Sequence, residues 1–222
     1  MKLNTDEELN SSALGEIAYQ KLKAHMVNLT LRPGEALTEL ELIGTLRMSR
    51  TPIRQALHRL EQEGFVSLLP RKGWFINEIS LKDIHEIFVV REALEGMAAR
   101  IAADNITQGA LLDLNLYIQG VNMESLEDPI DPGDELHFRI LAVANNHRIK
   151  SVLGLYDSHL QRFHQLTLRL PGRIKQSYQE HLDIVSAINN HDGDAAEAAM
   201  RKHIQSSRKS LFDTMAEGRV NW

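Results

Sequence analysis

Two histidines in the last third of the chain are placed where a buried metal ion could bind. On the segment after Pro171, apolar residues recur at steps of three and four, and His181 falls within that stripe. His203 shares a helical face with Ala196 and Ala199, a lining of small residues unlike an ordinary core. Two inward imidazoles on neighbouring helices are a metal-ligand arrangement, because neutral imidazole suits zinc, nickel and related ions.

A carboxylate completes such a site, and Asp134 lies in the first turn of a helix that opens at Asp131-Pro132. Two other interpretations fit the same residues. Two satisfied core histidines, with an aspartate placed by the helix dipole, need no metal. A metal-dependent hydrolase could use Asp134, His181 and His203 around an open position that activates water, although no acidic residue is placed as a general base.

A second group of residues has the chemistry of DNA recognition. Arg50 and Arg54 are four residues apart, so they share one outward helical face near its N-terminus, with Thr51 and Gln55 beside them. The planar arginine fork suits guanine edges and phosphates. Arginines at the start of the second of two helices predict a helix-turn-helix that enters a major groove. The alternative is an ordinary surface helix pair with solvated charges.

Capping signals bound this predicted helix-turn-helix. Thr38 and Glu41 have the capping-box spacing, so a short helix should begin there. Ser49 can cap the second helix. A first helix that starts at Ala13, after a flexible tail of residues 1–12, would pack against this pair.

A β-hairpin is predicted directly after the second helix. Residues 65–69 and 74–76 have strand-like composition on either side of the turn Pro70-Arg71-Lys72-Gly73. The cationic tip, with Lys72 and Gly73, could reach the minor groove or the phosphates. Residues 13–79 are therefore predicted to form a winged-helix DNA-binding domain.

From Ser80 onward the sequence shows only helical patterns broken by turn residues. The predicted helices span 81–104, 107–123, 132–146, 148–169, 172–190 and 194–215. Residues 80–222 therefore predict an all-α bundle of six to seven helices, and the whole chain is expected to be mostly α.

Composition narrows the class of protein further. The chain has 222 residues, a net charge of −5 and no cysteine, which excludes disulfides and thiolate chemistry. Residues 47–72 nevertheless contain six basic and two acidic residues, a local charge of +4 that suits a DNA-binding surface. No apolar run reaches membrane-spanning length and no targeting segment is present, so a cytoplasmic protein is expected.

The segments RPGEALTELEL, MSRTPIRQALHRLEQEGFV and PRKGWFI closely resemble the winged-helix domain of the GntR superfamily of bacterial transcription regulators. The resemblance covers most of residues 14–79. It implies that Arg50, Thr51 and Arg54 contact DNA and that Gly73 is the wing glycine. Relatives often have an arginine where this chain has Leu40, so their operator preference need not transfer.

Most of residues 80–206 resembles, more loosely, the FCD ligand-binding domain of the FadR-type branch of that superfamily. The segments are FVVREALEGMAARIAA, DELHFRILAVANN, PGRIKQSYQEHLDIVSAI and DGDAAEAAMRKHI. The resemblance implies a divalent metal, such as zinc, nickel or manganese, held by one aspartate and three histidines, with a small organic acid beside it. Asp134, His181 and His203 match three of these ligands. Arg91 and Glu95 match an arginine and a glutamate of the first helix, and an ion pair is favoured there over effector binding by Arg91.

The third histidine is out of place. Metal-binding relatives have Asp-x-x-Phe-His, whereas Asp134 here precedes Glu-Leu-His-Phe, so Phe138 stands at the expected ligand position. His137 is three residues from Asp134 and still shares its helical face, which allows coordination with altered geometry. The alternatives are a water in its place, substitution by His159 or His164, or a metal-free pocket marked by Phe138.

Taken together, the sequence predicts a transcription regulator, not an enzyme, that acts as a homodimeric repressor on a pseudo-palindromic operator. A small organic acid bound in the helical domain would shift its DNA affinity.

Overall fold

The computed structural model describes residues 5–120, 132–167, 170 and 172–216, with side chains described from Ala13 and, after the first gap, from Glu135. The chain divides into two compact units, the first of which ends at Ile79 while the second begins at Ser80. No described helix combines the length and the apolarity needed to span a bilayer.

The described residues of the first unit form three helices and a three-stranded sheet, which confirms the predicted winged helix. Its elements are α1 (Thr5–Val27), β1 (Ala36–Leu37), α2 (Glu39–Leu46), α3 (Arg50–Gln62), β2 (Val66–Leu69) and β3 (Gly73–Ile76). The central strand β3 pairs antiparallel with β2, the other arm of the wing, and with β1, which precedes α2. Strand β1 was not predicted, because its two residues are too few to show an alternating pattern.

One hydrophobic core joins α1, α3 and the wing. Leu22, Ile53, Leu57, Phe65 and Trp74 are all buried in it. The side chain of Thr38 caps α2 by accepting a hydrogen bond from the backbone N–H of Glu41, as the capping box predicts.

Two details of the first unit differ from the sequence prediction. Helix α1 begins at Thr5, inside the predicted flexible tail. Asp6, Glu7 and Glu8 follow it, and acidic residues favour a helix N-terminus through the helix dipole. Ser49 stands at the N-cap position of α3, but its side chain makes no capping hydrogen bond.

The second unit is all-α, and its described residues form seven helices, within the predicted six to seven. They are α4 (Leu81–Asn105), α5 (Gln108–Gly120), α6 (Pro132–Ala144), α7 (His147–Gly154), α8 (Asp157–Thr167), α9 (Arg173–Asn189) and α10 (Gly193–Ala216). Helix α4 packs along α10 and also contacts α6 and α9, so it brings together the helices with the candidate metal ligands.

The single helix predicted for residues 148–169 is wrong, because the structure has two helices there, α7 and α8. Gly154 ends α7, which is consistent with the low helix propensity of glycine. Asp157 then starts α8, where an acidic residue interacts favourably with the helix dipole.

Candidate metal centre and nucleic-acid interface

The predicted DNA-contacting residues of α3 lie on its outer surface. Arg50 and Thr51 start the helix and Arg54 follows one turn later, and all three are exposed. Burial of Ile53, Ala56, Leu57 and Leu60 on the opposite face fixes this orientation. The first two turns of α3 therefore present two guanidinium groups on the outer surface.

A single carboxylate in α2 pairs with both arginines. Arg54 Nε donates a hydrogen bond to Glu39 Oε1 at 2.7 Å, and Arg50 Nε lies 3.3 Å from Glu39 Oε2. The hydrogen bond from Arg54 holds the pKa of Glu39 below its usual range, despite partial burial, and the Trp74 indole adds to this effect. Glu39 is thus an anion between two candidate reading arginines.

The remaining predicted DNA-binding residues have distinct surroundings. Lys72 is exposed at the tip of the wing, beside Gly73, whose φ of +94° explains a glycine at that turn. Gln55 is exposed as well, but its side chain lies against Gly15 of α1. Leu40, where relatives often have an arginine, is 76% exposed.

Three buried histidines from three helices meet in the core of the second unit. His137 of α6 and His181 of α9 both approach His203 of α10, with Nε2–Nε2 distances of 3.2 and 3.4 Å to His203. One nitrogen atom from each ring can be chosen such that all three lie within 4.8 Å of one another. Nitrogen ligands of a tetrahedral zinc ion, at the usual bond length, are about 3.3 Å apart.

Two glutamates fix the orientation of two of these rings. The Nδ1 of His137 hydrogen-bonds Glu95, and the Nδ1 of His203 lies 2.8 Å from Glu180 Oε2. Because ionised carboxylates only accept hydrogen bonds, each Nδ1 donates to its glutamate, and in the neutral ring the Nε2 atom then keeps its lone pair. The lone pairs of His137 and His203 therefore point into one small space, and a bound cation would satisfy both.

Burial favours the neutral form of His181 and His203, which is the form that binds a metal. Desolvation lowers the pKa of His181 well below its usual value, and the charge of His203 adds to the effect. The pKa of His203 is lowered in the same way by burial and then by His137. Burial alone would raise the pKa of Glu95, but Arg91 and His137 lower it to about 2, so this carboxylate is ionised.

His137, and not the neighbouring Phe138 at the family's ligand position, is turned toward the other two histidines. Phe138 is 53% exposed on the outer face of α6, whereas His137 is 7% exposed and faces the other two histidines. The apolar residues of α6 contained the signal, because Leu136, Ile140 and Ala144 define the buried stripe and His137 lies beside it. The proposed role of Asp134 concerns a side chain outside the described residues.

The ion pair of Arg91 and Glu95 was favoured from the sequence, but the other groups that surround the histidines were not predicted. Arg91 Nε lies 2.5 Å from Glu95 Oε1. On the other side, Arg173 donates to Glu180 Oε2 at 3.0 Å and to the Ser207 hydroxyl at 2.6 Å. Arg173 and Glu180 are seven residues apart, two turns on one helical face, and that spacing was the available signal.

Two adjoining cavities meet these groups. A cavity of about 30 Å³ is lined by the three histidines together with Arg91, Arg173 and Ser207. A larger cavity of about 390 Å³ shares Arg91, His137 and Leu160 with it and extends along Phe138, Leu141 and Leu153. Arg91 uses only its Nε in the bond to Glu95, and within the described chain its terminal amines make no further hydrogen bond.

A winged helix with an arginine-rich outer face, followed by a helical unit with a buried histidine cluster, defines the class of winged-helix transcription regulators, which are not enzymes. Comparison with known families agrees with this assignment. Residues 14–76 match the family described as bacterial regulatory proteins, gntR family, and residues 86–206 match the FCD domain. The chain therefore belongs to the GntR family of transcription regulators and contains an FCD domain.

Individual relatives are similar along almost the whole chain. The HTH-type transcriptional repressor RspR of Escherichia coli is 27% identical over 214 residues, which cover 94% of each chain. A regulator from an unstable DNA locus of Streptomyces ambofaciens is 30% identical over 206 residues, 91% of this chain and 85% of that protein. The Nta operon transcriptional regulator of Aminobacter aminovorans is 29% identical over 182 residues, 81% of this chain and 85% of that protein.

Solved structures with the same fold include E. coli McbR/YncC, with a TM-score of 0.70 and 21% identity over 91% of this chain and 98% of that chain. A GntR regulator from Rhodococcus has a TM-score of 0.71 and 18% identity over 91% of this chain and 98% of that chain.

Proposed function

We propose that the protein is a cytoplasmic, homodimeric repressor whose FCD domain binds a divalent metal and a small organic acid, and that this acid controls operator affinity. Two-fold symmetry of the dimer would be mirrored in the operator half-sites. The repressor role is supported by the similarity to RspR, which is named a repressor. Zinc, nickel and manganese are all compatible with the proposed nitrogen and oxygen ligands.

The observation that supports the metal most strongly is the convergence of the three Nε2 atoms of His137, His181 and His203. Neutral His137 and His203 rings, with their Nδ1 atoms donating to the glutamates, would direct their Nε2 lone pairs at each other, and a cation between them would remove that repulsion. Glu95 and Glu180 would orient the rings through their Nδ1 atoms, as outer-shell carboxylates do in many metal sites. Asp134, three residues before His137 on α6, is the proposed fourth ligand.

The charges around the histidines favour an anionic effector. Arg91 and Arg173 are paired with Glu95 and Glu180, so the fixed charges of the buried surroundings cancel. A divalent metal would add two positive charges, and Asp134 would offset one of them. A carboxylate ligand would neutralise the remainder, and the terminal amines of Arg91 could donate hydrogen bonds to it.

At the other end of the chain, we propose that Arg50, Thr51 and Arg54 contact base edges or phosphates in the major groove. Gln55 would extend that contact surface on α3. Lys72 and Gly73 at the tip of the wing would contact the phosphate backbone or the minor groove.

The first experiment measures metal content by plasma mass spectrometry on untagged protein purified without chelator. We expect near-stoichiometric zinc, nickel or manganese in the wild type and its loss in the His181→Ala/His203→Ala variant. A matched His147→Ala variant, which removes an exposed histidine of α7, should keep the metal. Protein that stays metal-free after incubation with these ions would contradict the metal proposal.

The same preparations would then bind operator DNA in the presence of a panel of small carboxylic acids. The proposal predicts that at least one acid changes operator affinity in the wild type and that the double histidine variant loses this response. Operator binding that no acid changes would contradict the effector proposal, whatever the metal content.

A further inference from the structure

The carboxylate of Glu39 lies on the surface that the proposed function places against DNA. An anion there repels phosphates and lowers affinity for every DNA sequence. Its side chain is nevertheless only 19% exposed, and it lies between Arg50 and Arg54, whose side chains are 63% and 56% exposed. An acidic residue in this position weakens DNA binding unless it also orients the arginine side chains for recognition.

The contacts of Glu39 involve the Nε atoms and leave the outer parts of the guanidinium groups available. Arg54 Nε donates to Oε1 at 2.7 Å, and Arg50 Nε lies 3.3 Å from Oε2, so each carboxylate oxygen faces one arginine. Within the described chain, the terminal amines of the two arginines donate no hydrogen bond. An arginine whose Nε is bonded to a carboxylate can still donate hydrogen bonds from its terminal amines to a guanine edge.

Glu39 is itself held in place by its position in the fold. It is the first residue of α2, directly after the N-cap Thr38 and two residues after Leu37, which pairs with Trp74 between β1 and β3. Because the backbone of Glu39 is fixed at the start of α2, its side chain loses little conformational freedom when it binds the arginines. The long arginine side chains have many rotamers when unpaired. Their pairing with Glu39 restricts these rotamers before DNA binds, and this reduces the entropic cost of recognition.

We infer that Glu39 is a positioning residue that orients Arg50 and Arg54 for sequence-specific reading, at the expense of affinity for DNA in general. This inference rests on the proposed DNA contacts of the two arginines. A simple structural ion pair would change affinity for the operator and affinity for random sequence by the same factor, whereas a positioning residue would change them by different factors. Glu39 should raise the ratio of the first to the second.

The test uses the full-length protein and an operator selected from a random DNA library with the wild type. Binding of Glu39→Gln to this operator and to random DNA is then measured at one salt concentration. We expect the ratio of the two affinities to fall about tenfold, the order of the discrimination that one well-oriented arginine provides. Affinity for random DNA should stay the same or rise, because a negative charge is lost.

The matched control is Glu41→Gln, in the same first turn of α2. Its carboxylate accepts a hydrogen bond from the Thr38 hydroxyl at 2.6 Å, and within the described chain it pairs with no arginine. The variant loses the same charge near the same helix N-terminus, so it reports the general electrostatic effect. Its affinity ratio should remain that of the wild type. Equal ratios in Glu39→Gln and Glu41→Gln would overturn the inference.

A second variant pair tests whether Glu39 acts through Arg54, and far-ultraviolet circular dichroism checks that each variant is folded. Arg54→Ala should lose specific binding, and adding Glu39→Gln to it should lower the affinity ratio by less than in the wild-type background. Specific binding that survives Arg54→Ala would overturn the proposed contact itself. Loss of specificity in Arg54→Ala with an unchanged ratio in Glu39→Gln would overturn only the role of Glu39.

Discussion

Glu63, just beyond the end of α3, connects this helix to α1. The Tyr19 hydroxyl donates to its carboxylate at 2.8 Å, and Lys23 Nζ donates at 2.7 Å. Burial alone would raise the pKa of Glu63, but these two donors lower it below the usual 4.5. A carboxylate whose pKa is lower in the folded protein stabilises it most above the pKa of the unfolded chain.

Glu63→Gln should therefore lower the free energy of unfolding of the winged-helix unit by about 1 to 2 kcal/mol at pH 7. Because protonation removes the same stabilisation from the wild type, the difference should shrink as the pH falls below about 4.5. Trp74 fluorescence in a Trp222→Phe background would report unfolding of this unit in denaturant. Glu61→Gln, at a more exposed carboxylate that pairs with His58, is the matched control. A difference that persists or widens in acid would contradict the account.

At the scale of the element, the packing of α4 against α10 depends on a glycine. A Cβ atom on Gly96 would lie 2.9 Å from Arg201 Cγ, closer than atoms normally approach. Gly96 follows Glu95, which hydrogen-bonds His137, and Arg201 precedes His203 by two residues on α10. Spacing of these two helices therefore affects the position of two histidines of the cluster.

Gly96→Leu should destabilise the second unit by about 1 to 3 kcal/mol through overpacking. It should also weaken metal binding, because α4 and α10 must move apart. Gly109→Leu on α5 is the control, since nothing lies within 4 Å of a Cβ there and leucine favours helix. Thermal unfolding followed by circular dichroism and a zinc titration would compare the two. Equal stability in both variants would show that the close approach is unimportant.

Sequence patterns predicted those elements that have strong local signals. Thr38 and Ser80 begin helices through side-chain caps, and Pro132 lies at the start of α6. Sequence patterns failed where tertiary contacts determine the local structure. Strand β1 is an example, because its two residues form a strand only by pairing with β3. Likewise the choice between His137 and Phe138 as the inward residue depends on which face of α6 is buried.

At the scale of the whole molecule, the distribution of charge matters more than its sum. The chain has a net charge of −5, yet residues 47–72 have a balance of +4. The acidic excess elsewhere limits indiscriminate DNA binding, while the local positive surface attracts phosphates. Affinity for DNA should therefore depend steeply on salt, since each neutralised phosphate releases counterions.

Lys72→Ala should weaken binding to operator and random DNA by a similar factor, because a phosphate contact does not read sequence. The slope of the logarithm of affinity against the logarithm of salt concentration should decrease by about 1. Lys82→Ala, at an exposed lysine of α4, should leave the slope unchanged. Fluorescence anisotropy at several salt concentrations gives these slopes. An unaltered slope in Lys72→Ala would remove the wing tip from the contact surface.

The short strand β1 has a consequence for the DNA rather than for the protein. Strand β1 directly precedes α2 and pairs with β3, the central strand of the sheet. Strand β2 follows α3 and pairs with the other side of β3. The wing is thus connected to both helices of the helix-turn-helix, and with the proposed DNA contacts this connection would fix the number of base pairs that one copy covers. In the proposed dimer, an effector would therefore change the length of the DNA spacer that the dimer prefers between the two half-sites. The base sequence that is recognised within each half-site would stay the same.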